Sequence, residues 1–341
     1  MKKFIVIALI LIAAAIVGGR WFALEYLQTP FVSRTTFSEP LMLRVQRGDS
    51  ARHIIAQIND HLKRDSDRID YRLSQLLIGI DRLQAGVYQV SPTDSWQTLW
   101  QKLERGDEMQ FSVTLVEGLR IEQWLKHLQA QPFLKATLRP DNLIEQLDFI
   151  DGYTNAEGLF LPETYHYRAD KTDKDILRRA YQAMQQKLDE IWQQRSADCP
   201  VDTPYELLIL ASIIEKETGI DGERAMVASV FANRMATGMR LQSDPTTIYG
   251  IEAFDGNLTR AHLREKTAYN TYRIDGLPPT PIAMVSEASL RAAADPAQSD
   301  YFYFVANGEG GHVFSKTLEE HNKAVRKYQL NTATDDSQGE Q

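Results

Sequence analysis

Two glutamates close the segment "YELLILASIIEKETG" (205–219), and helical spacing gives them different surroundings. At about 100° per residue, Glu217 shares a face with Ile214, Ile213 and Leu210, whereas Glu215 shares one with Ser212 and Ala211. A carboxyl at the end of an apolar stripe is costly to ionise, so its pKa rises. A general acid working near neutral pH needs that property. The competing reading is a solvated helix end, although acidic residues near a helix C-terminus oppose the macrodipole.

Three polar patches lie downstream. "GMRLQSDPT" (238–246) is a loop bounded by glycine and proline. "TAYNTY" (267–272) gathers hydroxyls and an amide around two aromatic rings, and Gly276 to Ile282 is a proline-stiffened segment able to form a groove wall. Amides and hydroxyls beside tyrosine rings suit a carbohydrate, whose hydroxyls need hydrogen bonds and whose C–H faces need flat surfaces. Ser212 and Lys216, four apart on one helix, leave a Ser–Lys peptidase dyad open. His312 and His321 are nine apart with no third ligand in pattern, so structural or surface roles are expected and no metal is implied. Cys199 is the single cysteine, which excludes an internal disulfide and CxxC sites. HExxH, Walker, GxSxG and dinucleotide-binding fingerprints are missing from the sequence.

The elements that must position these residues follow from the pattern of the whole chain. It has 341 residues, Lys+Arg 38 against Asp+Glu 46 and a net charge of −8, which argues against nucleic acid as a partner. With 43% hydrophobic and 25% charged residues it reads as globular, with about two domains. Lys2-Lys3 precede an apolar run from Phe4 to Gly19 that ends in Arg20, Trp21 and Phe22. The expectation is a single-pass anchor over 1–24 with the rest of the chain exported; a cleaved signal peptide at Ala13 to Ala15 is the rival. Residues 25–40 read as a tether with Pro30 and Pro40.

A small unit over 41–108 should run strand, helix, helix, strand, helix, with Ser50 and Asp94 or Ser95 as caps. A domain over 109–330 should begin with a strand at 111–116 and continue with helices near 121–129, 174–193, 205–218 and 221–236. A late strand at 301–305, a glycine turn at 308–311 and a helix near 317–328 follow, and 331–341 should be disordered. The fold class is therefore α+β.

The blocks "ASIIEKET", "VASVFANRMATGMRLQSDPTTIYG", "AYNTYRIDGLPPTPI" and "YFYFVANGEGGHVFSKTLEEHN" together resemble the membrane-anchored endolytic murein transglycosylases, the MltG or YceG-like family. The stretch "VQRGDSARHIIAQI" is similar to the start of a peptidoglycan-binding LysM module, the plain alternative being an α+β adaptor. A fainter resemblance reaches the lysozyme-like lytic transglycosylases. Glu217-Thr218 stands for their Glu-Ser pair, Gly238 to Gln242 for their Gly-Leu-Met-Gln loop, and Ala268-Tyr269-Asn270 for Ala-Tyr-Asn. Ala283-Met284-Val285 departs from the turn expected after Pro281-Ile282.

The resemblance implies a mainly helical catalytic domain, with Glu217 cutting nascent glycan strands between N-acetylmuramic acid and N-acetylglucosamine. Products end in 1,6-anhydro rings, with no second carboxylate, metal or organic cofactor. Thr218, Gln242, Asp244, Thr246, Tyr269, Asn270 and Glu163 are the expected substrate contacts. The expected setting is the periplasmic face of the inner membrane, beside peptidoglycan synthases (penicillin-binding proteins) and division or elongation proteins. A non-catalytic glycan-binding scaffold is the remaining alternative.

Overall fold

The computed structural model describes residues 2–33, 37–80 and 82–330. It is a mixed helix-and-sheet protein in two compact units, one formed by the residues up to Ser112 with His166–Lys171, the other by Val113–Tyr165 and the residues from Thr172 onward. The return of 166–171 to the first unit was not foreseen. The expected disorder of 331–341 lies outside the described residues.

The first unit contains α1 (Lys2–Gln28), β1 (Leu41–Val45), α2 (Ala51–His61), α3 (Asp67–Leu77), β2 (Gly86–Val90) and α4 (Trp96–Arg105). β1 and β2 pair antiparallel, Leu43 opposite Tyr88. Ser50 caps α2 by accepting from His53 N, and Ser95 opens α4 with a reciprocal capping box to Thr98. These are the expected element order and caps. α1 is long and apolar enough to cross a membrane, with mean hydropathy 2.3 over its most apolar 18 residues.

The tether reading is corrected. The helix runs on to Gln28, and Leu27, Phe31 and Phe37 are buried in the core with Ile54, Ile58, Trp96 and Trp100. Phe31 meets Trp96 edge-on at 5.2 Å. Apolar side chains spaced through a polar-looking stretch lock it down, because burying each one stabilises by about 1.5–3 kcal/mol.

The rest of the chain carries β3 (Gln110–Thr114), α5 (Ile121–Gln129), α6 (Leu143–Gln146), β4 (Thr164–Arg168), α7 (Asp173–Gln194), α8 (Pro204–Glu217) and α9 (Arg224–Ala236). α10 (Asp244–Tyr249), α11 (Arg260–Arg264), α12 (Glu287–Ala294), β5 (Tyr303–Ala306), β6 (His312–Ser315) and α13 (Leu318–Val325) follow. β3 pairs with β4, and β5 with β6 in a hairpin that closes at Ala306 opposite His312. α8 is the central helix: Thr203 and Glu206 form its capping box, Pro204 opens its first turn, and Leu207 to Ile214 are all buried. It is apolar all round, not along one stripe, and packs against α7, α9, α10 and α12. α12 and β6 were not foreseen. α12 is only eight residues long and alanine-rich, and β6 is too short to show a period.

Candidate active site

The last turn of α8 emerges from the core and delivers Glu217 to the wall of a cavity of about 420 Å³. Gln242, Asp244, Tyr272, Arg234, His312 and His321 share that wall. Glu217 Oε1 accepts a 2.5 Å hydrogen bond from Ser243 Oγ. Burial pushes the Glu217 carboxyl up to about 7; Asp244 adds to the rise, while the Ser243 hydrogen bond, His312 and Arg234 oppose it.

Ser243 is fixed from behind. Gln242 adopts a left-handed φ of 50°, which turns the loop after α9. Ser243 N donates to Thr271 Oγ1 at 2.9 Å, and Thr246 Oγ1 donates to Ser243 O at 2.7 Å and pairs with Thr271 Oγ1 at 2.8 Å. Tyr272 donates its hydroxyl to Asp244 Oδ1 at 2.7 Å, and burial raises that phenol's pKa. Arg234 is buried beside them. Its guanidinium donates to the carbonyls of Phe302 and Leu241, and burial lowers its pKa.

Of the expected contacts, Gln242 and Asp244 are exposed on the cavity wall with Glu217. The others stand elsewhere. Thr218 is buried at the end of α8 and accepts from Ile220 N. Thr246 and Asn270 are wholly buried. Asn270 donates to the carbonyls of His262 and Glu265 and accepts from Thr247 Oγ1 and Tyr272 N. Two donors and two lone pairs are thus used within the protein, leaving none for a sugar. Tyr269 pairs its hydroxyl with Thr280 Oγ1 at 2.9 Å and meets the Tyr249 ring at a tilt, 4.8 Å between centroids, away from the cavity wall. Glu163 is exposed and does not line the cavity. Thr246 and Asn270 brace the loop from within and do not line the cavity.

The rival readings of neighbouring residues are also settled. Glu215 turns away from Glu217 and accepts from the backbone and hydroxyl of Ser286, holding the start of α12. Ser212 is buried, donating to Ile209 O and accepting from Ile282 N, while Lys216 Nζ donates to Gly118 O. Ser212 and Lys216 therefore form no dyad. The departing segment at 283–285 is buried, and Met284 pairs its backbone with Gly118 and Leu119.

His312 and His321 were expected away from the chemistry, yet both line the cavity. Glu223 Oε2 lies 2.7 Å from His312 Nδ1, and Glu223 Oε1 accepts from His312 N at 3.0 Å. Burial works against ionising Glu223, but these bonds hold its carboxyl below the usual range. No cluster of metal-ligating side chains occurs among the described residues. A second buried acid, Glu157, escaped notice. It accepts from Ile121 N at the start of α5 and from the Tyr249 hydroxyl, and burial pushes it up to about 7. Nothing marks it in the sequence, since its partners lie 36 and 92 positions away.

Comparison with known proteins places this architecture. The endolytic murein transglycosylase of Bacillus subtilis (strain 168) is 33% identical over 270 residues, covering 73% of this chain and 74% of that protein. The protein of the same name from Streptococcus pneumoniae D39 is 27% identical over 282 residues, 72% of this chain and 51% of that one. A 2.6 Å crystal structure of a putative YceG-like protein from Listeria monocytogenes superposes with TM-score 0.51 at 29% identity, covering 84% of this chain and 99% of that one. The YceG-like family profile matches residues 43–327, so the chain belongs to the YceG-like family.

Proposed function

We propose that this protein is an endolytic murein transglycosylase in which Glu217 alone supplies acid and base. The observation that carries the reading is a half-buried carboxyl with its pKa near 7, held by one hydroxyl at the wall of an open cavity. Ser243 engages Oε1, which leaves Oε2 to carry the working proton. Protonated Glu217 donates to the glycosidic oxygen between N-acetylmuramic acid and N-acetylglucosamine. The substrate's acetamido group stabilises the positive charge that develops at C1. The ionised carboxylate then takes the proton from the muramic C6 hydroxyl, which attacks C1 and closes the 1,6-anhydro ring. No water is consumed, unlike in the paired-carboxylate glycosidases. Gln242, Asp244 and Tyr272 border the space where the sugars bind.

The apolar α1, flanked by Lys2-Lys3, anchors the chain in the inner membrane with the catalytic unit on the periplasmic side. The β1–α2–α3–β2–α4 unit serves as a LysM-like contact to glycan, and the synthases that extend the strands are natural neighbours. Mass spectrometry of products from purified peptidoglycan tests the reading. Anhydro ends within the strand are expected; ordinary reducing ends would reject it.

A further inference from the structure

α1 does not end at the aromatic pair Trp21 and Phe22, both exposed, but continues into the first unit's core through Leu27. Tyr26, near its end, donates to Asp70 on α3 at 2.6 Å and accepts from Arg64. Tyr26 stands five residues beyond Trp21, about 7.5 Å of helix rise. The headgroup layer is about 5–7 Å thick on each side of the hydrocarbon core. With α1 spanning the bilayer and Trp21 in the aromatic belt, the Tyr26–Asp70 contact holds α3 at the outer edge of the headgroup layer.

The face α3 leaves uncovered has an unusual composition. Asp70 and Ser74 are buried on its inner side. On its outer side Ile69 and Leu76 are 58% and 78% exposed, and Arg68 and Arg72 are exposed beside them. Arg68 and Arg72 are one turn apart, so their like charges repel. Arg52 of α2 lies over the Tyr71 ring at 4.5 Å, and these arginines border a hollow of about 510 Å³ that also takes in Asp67. Arg52, Arg68 and Arg72 form no ion pair among the described residues. Unpaired arginines alternating with exposed aliphatic side chains are the pattern of a helix that lies in a membrane interface.

We propose that the outer face of α3 rests on the anionic phospholipid surface of the membrane that α1 crosses. Arg68, Arg72 and Arg52 take lipid phosphates, and Ile69 and Leu76 enter the headgroup–acyl boundary. The inference rests on the anchor reading of α1. Two contacts, α1 and α3, then fix the tilt of the first unit against the bilayer, where a single helix would let it swing.

The test uses the full chain with Cys199→Ser and a spin label at Leu76→Cys, in nanodiscs of phosphatidylglycerol or of phosphatidylcholine alone. Collisions with oxygen against a water-soluble nickel reagent read the label's depth. In phosphatidylglycerol the label should sit in the lipid interface, and each arginine changed to Gln (Arg68→Gln, Arg72→Gln) should shift the docking equilibrium toward water by about 5-fold. A label at Ile69→Cys repeats the measurement with Leu76 intact, and circular dichroism reports the fold. A water-exposed label in phosphatidylglycerol, or a depth indifferent to both arginines, overturns the proposal. Shielding from both reagents overturns it too, since a protein then covers the face. A label at Ile12→Cys separates the two readings. If it lies in lipid while position 76 lies in water, the docking alone fails; if it lies in water, the anchor reading fails and takes the docking with it.

Discussion

Ser243 Oγ donates to Glu217 Oε1 across 2.5 Å, and that one bond aims the carboxyl and opposes the effect of burial on its ionisation. It favours the charged form, whereas burial, the larger influence, favours the neutral one. Ser243→Ala should therefore raise the Glu217 pKa further. The working acid must be protonated, so activity should fall as pH rises through about 7 in the native protein. In Ser243→Ala that fall should move to higher pH, with a maximal rate lower by about tenfold from the lost aim, a cost of about 1.4 kcal/mol. The pH profile of anhydro-product release checks both; an unmoved profile contradicts the assigned bond.

Glu157 carries a raised pKa away from the Glu217 cavity. Its folded value near 7 lies above the ordinary carboxylate range, so the folded state prefers the protonated form. The associated stability is fully present below the unfolded pKa, near 4.5, and is lost as pH rises through about 7. Gln keeps an acceptor for Ile121 N and can donate to Tyr249, with no charge to bury. Glu157→Gln should stay active and should gain stability over the native protein at pH 8 but not at pH 4, as read by thermal unfolding.

Asn270 was legible as a site candidate through the amide-and-hydroxyl patch at 267–272 and through resemblance, and in the fold its side chain is spent on four bonds within the protein. Asn270→Ala leaves the His262 and Glu265 carbonyls, Tyr272 N and the Thr247 hydroxyl without their partner. At about 1 kcal/mol or more for each unmet buried group, the loss should reach several kcal/mol. The melting temperature should drop, by about 2–4 °C per kcal/mol at this size. A variant as stable as the native protein that loses only substrate affinity would restore the contact role.

The sequence carried the elements whose signals are local. Ser50, Ser95 and Thr203 cap α2, α4 and α8 as their types dictate, and Glu217 separated from Glu215 by helical angle alone. What it hid depends on long-range contacts. Ser243 becomes a partner of Glu217 only when the loop after α9 folds back 26 positions, and His312 reaches Glu223 across 89. His312 and His321 read as structural or surface residues because no spacing rule links a strand and a late helix to the end of α8. Leu27, Phe31 and Phe37 hid in a stretch whose prolines suggested a linker.

Asp244 accepts from Tyr272 and borders the cavity but makes no bond to Glu217. Its charge adds to the rise in the Glu217 pKa. Asp244→Asn should keep the Tyr272 bond, lower the pKa of Glu217 and retain turnover, the fall in activity starting at lower pH. If the folded variant is as inactive as Glu217→Gln and its residual products carry reducing ends, a two-carboxylate hydrolase is the better reading.

Glu217→Gln and Glu215→Gln form the decisive pair, because one helix turn carries both residues into different company. Gln at 217 can still accept from Ser243 and fill the same space, so the fold and glycan binding should persist. It can neither give up the acid proton nor serve as a base afterwards. General acid–base catalysis supplies about 10²–10⁴-fold, and here one residue performs both halves. Cleavage should fall by at least that factor. Gln at 215 keeps a carbonyl for the backbone of Ser286, and its amide can meet the Ser286 hydroxyl, so only a small loss of stability at the start of α12 is expected. Release of anhydro-muramic fragments by each purified variant, with circular dichroism to confirm folding, decides the matter. Full activity in Glu217→Gln, or inactivity confined to Glu215→Gln, would overturn the assignment of the chemistry to Glu217.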